Sequence, residues 1–390
     1  MSFNDRYQLT YQDLVDHLMY SYQGSSSDHG LRDCRQAVQN AYLKFSFEKQ
    51  WKYYQTIFRF FTVAAVDNTL AYTNSTRIAT LGTALTSIPQ AWAKYGRVKV
   101  GNVIYIIESY TDSTHVVLDS VVNPGADIAS GTACTLYRSE YPLPNDFRAA
   151  DLPRSEGGLS LFEYQGAAES LARDRLAANG GTPWRATLIG DRENPGGYVV
   201  SLQPYPSTVT SLDLQYQRIP RLMRLAGTET SSTQGTVAIS AASAAVVGTG
   251  TAFDSSMVGS YLRCHSSTSA LPTGLAGAYP YTEQRQITAV ADTTHLTVGA
   301  VFDIAYASTK YTISDPVDAW VGMHDAILRG CELQLAISRR RDVNDARSNY
   351  LMALRQAMAN DCLERNTESE MDGRGSFTSY TVTLPDGSVV

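Results

Sequence analysis

Asp112-Ser-Thr-His115-Val-Val-Leu118 returns 180 positions later as Asp292-Thr-Thr-His295-Leu-Thr-Val298. Each stretch sets a turn-forming Asp three residues before a His and then enters a β-branched run, the pattern of a tight turn feeding a strand. The likeness spreads outward from this pair. Upstream, Gly82-Thr-Ala-Leu-Thr-Ser87 matches Gly250-Thr-Ala-Phe-Asp-Ser255, and Tyr95-Gly96 with Val98 and Val100 parallels Val258-Gly259 with Tyr261 and Arg263. Downstream, Thr132 to Leu136 parallels Thr309 to Ile313. Blocks that keep their order while the offsets drift read as two copies of one small all-β module, sandwich- or barrel-like. The copies occupy residues 66–138 and 233–314.

The rest of the chain predicts an α+β protein: a helical-bundle body with a small β portion, interrupted twice by the modules and ending in an extended C-terminal arm. The body comprises residues 1–65, 139–232 and 315–366, and the arm residues 367–390. Thr10 with Asp13 resembles a capping box. Leu14, Leu18 and Tyr22 then fall on one helical face, and after a break at Gly24–Asp28 a second stripe runs through Leu31, Cys34, Val38, Ala41 and Phe45. Around Tyr54–Phe60 the period changes to that of a strand. A further helix is expected near 160–178, and short strands from 197 to 222. Pro316 fits a first helical turn, followed by stripes at Trp320, Met323, Ile327, Cys331 and Leu335, and at Leu351, Leu354, Met358 and Cys362. Asp342 is placed to cap the second of these helices. The arm is polar, with a short alternation at Tyr380-Thr-Val-Thr-Leu384.

Composition narrows the function. Charged residues make up 18% and the net charge is −6, which argues against a protein that coats nucleic acid. Tyrosine is abundant, 24 against 11 Phe and 4 Trp, and its amphipathic ring suits half-buried contact faces as well as a tyrosine-rich β fold. The 5 cysteines are scattered without a C-x-x-C pair, so reduced, buried thiols are expected. Neither a signal peptide nor an apolar run long enough to span a membrane is visible, and a soluble, cytosolically made chain is expected.

No catalytic constellation emerges. H-E-x-x-H, G-x-S-x-G and G-x-x-x-x-G-K-[ST] are absent, and Gly248-Thr-Gly250-Thr reads as a turn. His115 and His295 read as duplicated turn residues, and Asp191 with Glu193 as a solvated loop. No metal or cofactor is expected. The strongest charge feature is Arg339-Arg-Arg341 with Arg347, read either as a solvated helix end or as a contact for acidic groups on a partner or on passing DNA.

Outside the modules, the motifs in their order resemble those of the head-to-tail adaptor (connector) proteins of tailed bacteriophages. The resemblance rests on the N-terminal helical hairpin followed by Trp51, on Tyr141-Pro-Leu-Pro-Asn-Asp-Phe147 and on Gly181-Thr-Pro183. It continues with Pro204-Tyr-Pro206, the strand from Tyr216 to Pro220 and the C-terminal helical pair. It implies a virion structural protein rather than an enzyme: a homo-oligomeric ring, of twelve copies, beneath the portal. Such a ring would join the portal to a downstream tail or nozzle protein and continue the DNA channel, with transient non-specific contact to double-stranded DNA and none to membrane. The implied location is the virion neck, after synthesis in the cytoplasm of a bacterial host. The arm, with Tyr380, Val382 and Leu384, would dock onto the portal. The alternative is another tail structural protein, of the tube or baseplate, whose modules are adhesive; Tyr279-Pro-Tyr281 is the aromatic cluster that exposure would mark for that role.

Overall fold

The computed structural model describes residues 8–21, 28–85, 92–150, 163–164, 180–265 and 281–371. Strand accounts for 39% and helix for 25%, so the protein is mostly β, with one six-stranded barrel and one half-barrel. The expected helical-bundle body with a small β portion is therefore corrected. The segment after the first module, with its Pro-punctuated alternation, builds mostly short strands, and the long helices among the described residues lie within 11–47 and 324–371. The chain divides into two compact units, Tyr54–Ile219 and Met1–Tyr53 with Pro220–Val390.

In the unit Tyr54–Ile219, β1 (Gln55–Phe61) precedes β2 (Val66–Thr73), β3 (Ile78–Leu81), β4 (Gly96–Val100), β5 (Val103–Tyr110), β6 (His115–Leu118) and β7 (Ile128–Arg138). Strands β2 to β7 close a barrel in the order β2-β3-β6-β5-β4-β7. Closure follows from β7, which is long enough to pair with β2 along one stretch and β4 along another. Alternating residues point inward, and Leu70, Tyr72, Ala79, Leu81, Val116 and Leu118 pack with Trp92, Val98, Ile107 and Leu136.

A β-sandwich completes this unit, from β8 (Glu140–Pro142), β9 (Phe147–Ala150), β10 (Glu163–Tyr164), β11 (Gly180–Gly181), β12 (Arg185–Gly190), β13 (Tyr198–Gln203), β14 (Tyr205–Pro206) and β15 (Ser211–Arg218). One sheet runs β1-β15-β9 and another β10-β12-β13-β8. Between them lie Phe60, Tyr141, Leu143, Phe147, Val200 and Leu214. The Tyr141–Phe147 motif supplies this core: the Tyr141 hydroxyl accepts the Val63 N–H at 2.9 Å, and Asp146 accepts the Tyr216 hydroxyl at 2.9 Å. The helix expected near 160–178 lies outside the described residues except at Glu163–Tyr164, which are strand.

The second unit begins with α1 (Tyr11–Ser21) and α2 (Asp28–Phe47). Thr10 and Asp13 cap α1 reciprocally, with Asp13 accepting from the Thr10 N–H and hydroxyl at 3.0 and 2.9 Å. Trp51 folds back, donating its indole N–H to Phe45 O at 3.1 Å. A one-turn helix, α3 (Thr230–Thr233), leads into β16 (Thr236–Ile239), β17 (Ala245–Thr249), β18 (Tyr261–His265), β19 (Tyr281–Val290), β20 (His295–Val298), β21 (Tyr306–Thr309) and β22 (Tyr311–Ser314). Then come α4 (His324–Ser338) and α5 (Asn344–Met371).

Leu14, Leu18, Cys34, Val38 and Phe45 are fully buried with Ile327, Cys331, Leu335 and Leu354, as stripes at helical spacing require. Gly330 lets the helices approach: a Cβ there would lie 3.2 Å from the Tyr350 ring and 3.6 Å from the Ala41 Cβ. Pro316 is not helical. It forms a β-bridge with Thr10, and α4 begins only at His324.

Strands β16 to β22 follow the circuit of the first barrel, in the order β21-β16-β17-β20-β19-β18-β22. Where β7 is continuous, its counterpart is broken at Lys310 into β21 on β16 and β22 on β18, leaving an open half-barrel. The turns coincide in detail. Asp112 Oδ1 accepts the Thr114 and His115 N–H groups at 2.7 and 2.9 Å, and Asp292 Oδ1 accepts those of Thr294 and His295 at the same distances. Leu85 and Phe253 donate their amides to Ser113 O and Thr293 O beneath the two turns.

The half-barrel is tied to the helices by buried charge. Arg263, wholly inaccessible, donates to Thr10 Oγ1, Gln12 Oε1 and Asp13 Oδ1 at 2.9, 3.3 and 2.7 Å and lies over the Tyr281 ring. Arg263→Ala is expected to strand Asp13 and cost about 3–5 kcal/mol. Arg59→Ala, which breaks an exposed pair with Asp213 on β1 and β15, should barely move the unfolding midpoint. Urea denaturation of the two variants checks the contrast.

Candidate functional site

The arginine corner is first of all a helix terminus. The amides of Arg339, Arg340 and Arg341 donate to Leu335 O, Ile337 O and Ala336 O, satisfying carbonyls at the end of α4. Arg339 pairs with Asp33 of α2 at 3.6 Å. Arg340, Arg341 and Arg347 are exposed. Asp342 accepts the Asn344 N–H at 3.0 Å and opens α5. Arg340 holds φ at +52°, a left-handed conformation at the position where glycine is preferred. Tyr380, Val382 and Leu384 lie outside the described residues.

Beside this corner runs a trough that the periodicity of the apolar residues did not disclose. Arg32, Arg35, Gln36 and Gln39 recur at helical spacing on the outer side of α2 and border the chain from Leu222 to Glu229. Two cavities, of about 460 and 410 Å³, adjoin at Gln39 and Arg224. The first is basic, walled by Arg32, Arg35 and Arg224 with a single acidic residue, Glu229. The second is apolar, walled by Tyr42, Leu43, Leu222 and Met223.

Three contacts hold the walls. Tyr11 donates its hydroxyl to Arg35 O at 3.1 Å, Arg35 pairs with Glu229 at 3.4 Å, and Arg224 donates to Ser256 O at 2.8 Å. Arg32 is exposed and makes no ion pair among the described residues. The residues at 222–229 that face α2 carry no periodicity, so nothing in the sequence assigned them to it.

The remaining candidates are structural. Asp191 closes its own loop by accepting the Glu193 N–H at 2.9 Å and the Tyr95 hydroxyl at 2.8 Å, which with burial pushes Tyr95 up to about 12. Asp112 and Asp292 are held well below the usual carboxylate range by the turn amides and hydroxyls and by His115 and His295. Cys34, Cys134, Cys264 and Cys331 are buried free thiols, each raised by burial. Among the described residues no group of three or more His, Cys, Asp or Glu could hold a metal. No helix among them is long and apolar enough to cross a membrane.

No family model matches this chain, and neither a curated protein nor a solved structure resembles it significantly.

Two expectations follow from this unit. Burial and the neighbouring Asp13 push Asp16 of α1 up to about 6, against the opposing pull of Arg263. The folded state thus binds the Asp16 proton more tightly than the unfolded chain, whose aspartates titrate near ~4. The contribution is complete below that value and is lost as pH rises to about 6. Asp16→Asn should therefore raise stability above pH 6, by up to about 2 kcal/mol after screening, with no gain below pH ~4 in a chemical-denaturation series. Arg340→Gly should stabilise the fold by about 0.5–1 kcal/mol of relieved backbone strain, read as a higher melting temperature.

Proposed function

We propose that the protein is a virion structural component, a head-to-tail adaptor that assembles as a twelve-membered ring between a portal and a downstream tail or nozzle protein. It lines part of the DNA channel and performs no catalysis. The observation that supports this most is the meeting of the chain's two ends. The N-terminal hairpin and the C-terminal helical pair, the motifs that open and close the adaptor-like order, pack as one helical body. The Tyr141–Phe147 and Tyr216–Pro220 motifs between them build one sandwich core.

Exposed apolar side chains on both units favour a protein with several contact faces: Ile57 and Phe61, each 65% exposed, on one unit, and Val321 and Met352, 72% and 62%, on the other. The exposed Arg340, Arg341 and Arg347 suit fleeting contact with passing DNA, and the net charge of −6 suits sliding rather than wrapping. On this reading the protein is built in the cytoplasm of a bacterial host and resides in the virion neck.

A tail-tube or baseplate protein with adhesive modules is the second reading. Of its Tyr279-Pro-Tyr281 cluster, Tyr281 is only 6% exposed and donates its hydroxyl to Gln12 at 2.8 Å, while Tyr279 lies outside the described residues. Electron microscopy of the purified protein alone and with its cognate portal decides between them. A ring of fixed symmetry seated under the portal is expected. A protein that ignores the portal overturns the adaptor reading, and stacked tubes or fibres favour the second.

A further inference from the structure

The trough on α2 has a direction: one half basic, the other apolar. From Arg32 to Leu43 it follows about 16 Å of helix, the reach of roughly five residues of extended chain. Gln36 and Gln39 line its middle, where side-chain amides can meet the backbone of an extended segment. The occupant it calls for carries apolar side chains at alternate positions and a carboxylate at one end.

This chain contains such a segment. Tyr380-Thr-Val382-Thr-Leu384-Pro-Asp386 alternates apolar and small polar residues and then presents an acid. From Val382 to Asp386 an extended chain covers about 13 Å. With Val382 and Leu384 against Leu43, Leu222 and Met223, Asp386 would reach the end walled by Arg32 and Arg35.

The helices indicate whose trough it is. α5 runs parallel to α2, with Lys49 donating to Met358 O and Lys52 N–H to Asp361 Oδ1, so at Asp361 it is already level with the far end of α2. It continues to Met371, about 15 Å further in the direction away from the trough. Met371, where the described residues end, thus stands at the end of α5 remote from its own copy's trough.

We propose that residues 380–386 of one copy dock as an extended strand in the α2 trough of a second copy. The contact is head-to-tail, so it closes into a ring or propagates, according to the angle between copies. It needs a second copy and no portal. It also gives Tyr380, Val382 and Leu384 a seat on a neighbouring copy rather than on the portal.

Sedimentation of the chain over a concentration series tests this with two double variants. One damages the trough (Arg32→Glu with Leu222→Glu) and the other the tail (Leu384→Asp with Asp386→Lys). Unchanged thermal melting establishes that each folds. Each variant alone should self-associate at least tenfold more weakly than the parent. Mixed, they should form a one-to-one complex, because one retains a sound tail and the other a sound trough. A mixture that stays monomeric overturns the proposal, as does a parent that never associates or variants that associate as the parent does. Rings under the portal from variants with undiminished association would sink this contact while leaving the adaptor reading intact.

Discussion

A carboxylate without solvent contact governs how the half-barrel is held to the helices. Asp315, directly after the last strand, accepts from Arg221 Nη2 and Ser260 Oγ at 3.1 and 2.6 Å, and from the amides of Arg224 and Leu225 at 2.6 and 2.9 Å. Four donors offset the cost of removing this charge from water, which is several kcal/mol when uncompensated. They also gather two loops, 221–225 and the one before β18, around the residue that follows β22. Tyr11 donates its amide to Asp315 O, and Val317 to Leu9 O, so the chain entering α1 is pinned to the chain leaving β22. Arg263 completes the arrangement from the barrel side. The trough on α2 depends on it too, because the segment 222–229 that forms its far wall is hung from Asp315.

The two modules show how one circuit of strands adapts to different surroundings. In the first, β7 is continuous and the barrel closes, hiding every edge. In the second, the break at Lys310 opens the seam, and the two half-strands serve different partners. Thr309 Oγ1 bonds to His265 O, and Lys310 Nζ donates to Gly235 O at 3.0 Å, so the broken corner is satisfied within its own sheet. β22 is fully buried along its length, and Thr10 and Gln12 are buried with it. The tight Asp turns are unchanged between copies because they are closed by their own side chain and need nothing from outside.

What could be read from the residues tracks what is local. The turns at Asp112 and Asp292, the cap at Thr10 and Asp13, and the helical stripes are set by neighbours a few positions apart, and they were legible. The weight of β structure was not. Strands at 185–218 are short and Pro-interrupted, so their period is weak, while the helices at both ends announce themselves strongly and dominated the expected body. Pro316 was misassigned because a proline that opens a helix and one that bridges to a distant strand look the same in one dimension. Of the candidate site, the arginine corner was visible as a run, but its role as a terminus, with Arg340 in a left-handed conformation, depends on backbone geometry. The trough was hidden because its far wall follows no repeat.

The seam of the first barrel carries an evolutionary consequence. Val66 and Leu136 are paired partners across it, so the chain enters and leaves that barrel at neighbouring points. A segment whose ends meet can be exchanged for a foreign one without moving what flanks it. The half-barrel lacks that freedom: its Arg263 is matched to Thr10, Gln12 and Asp13, about 250 positions away in the sequence. The first copy is a replaceable cassette, and the second is bound by inheritance to the helices it serves.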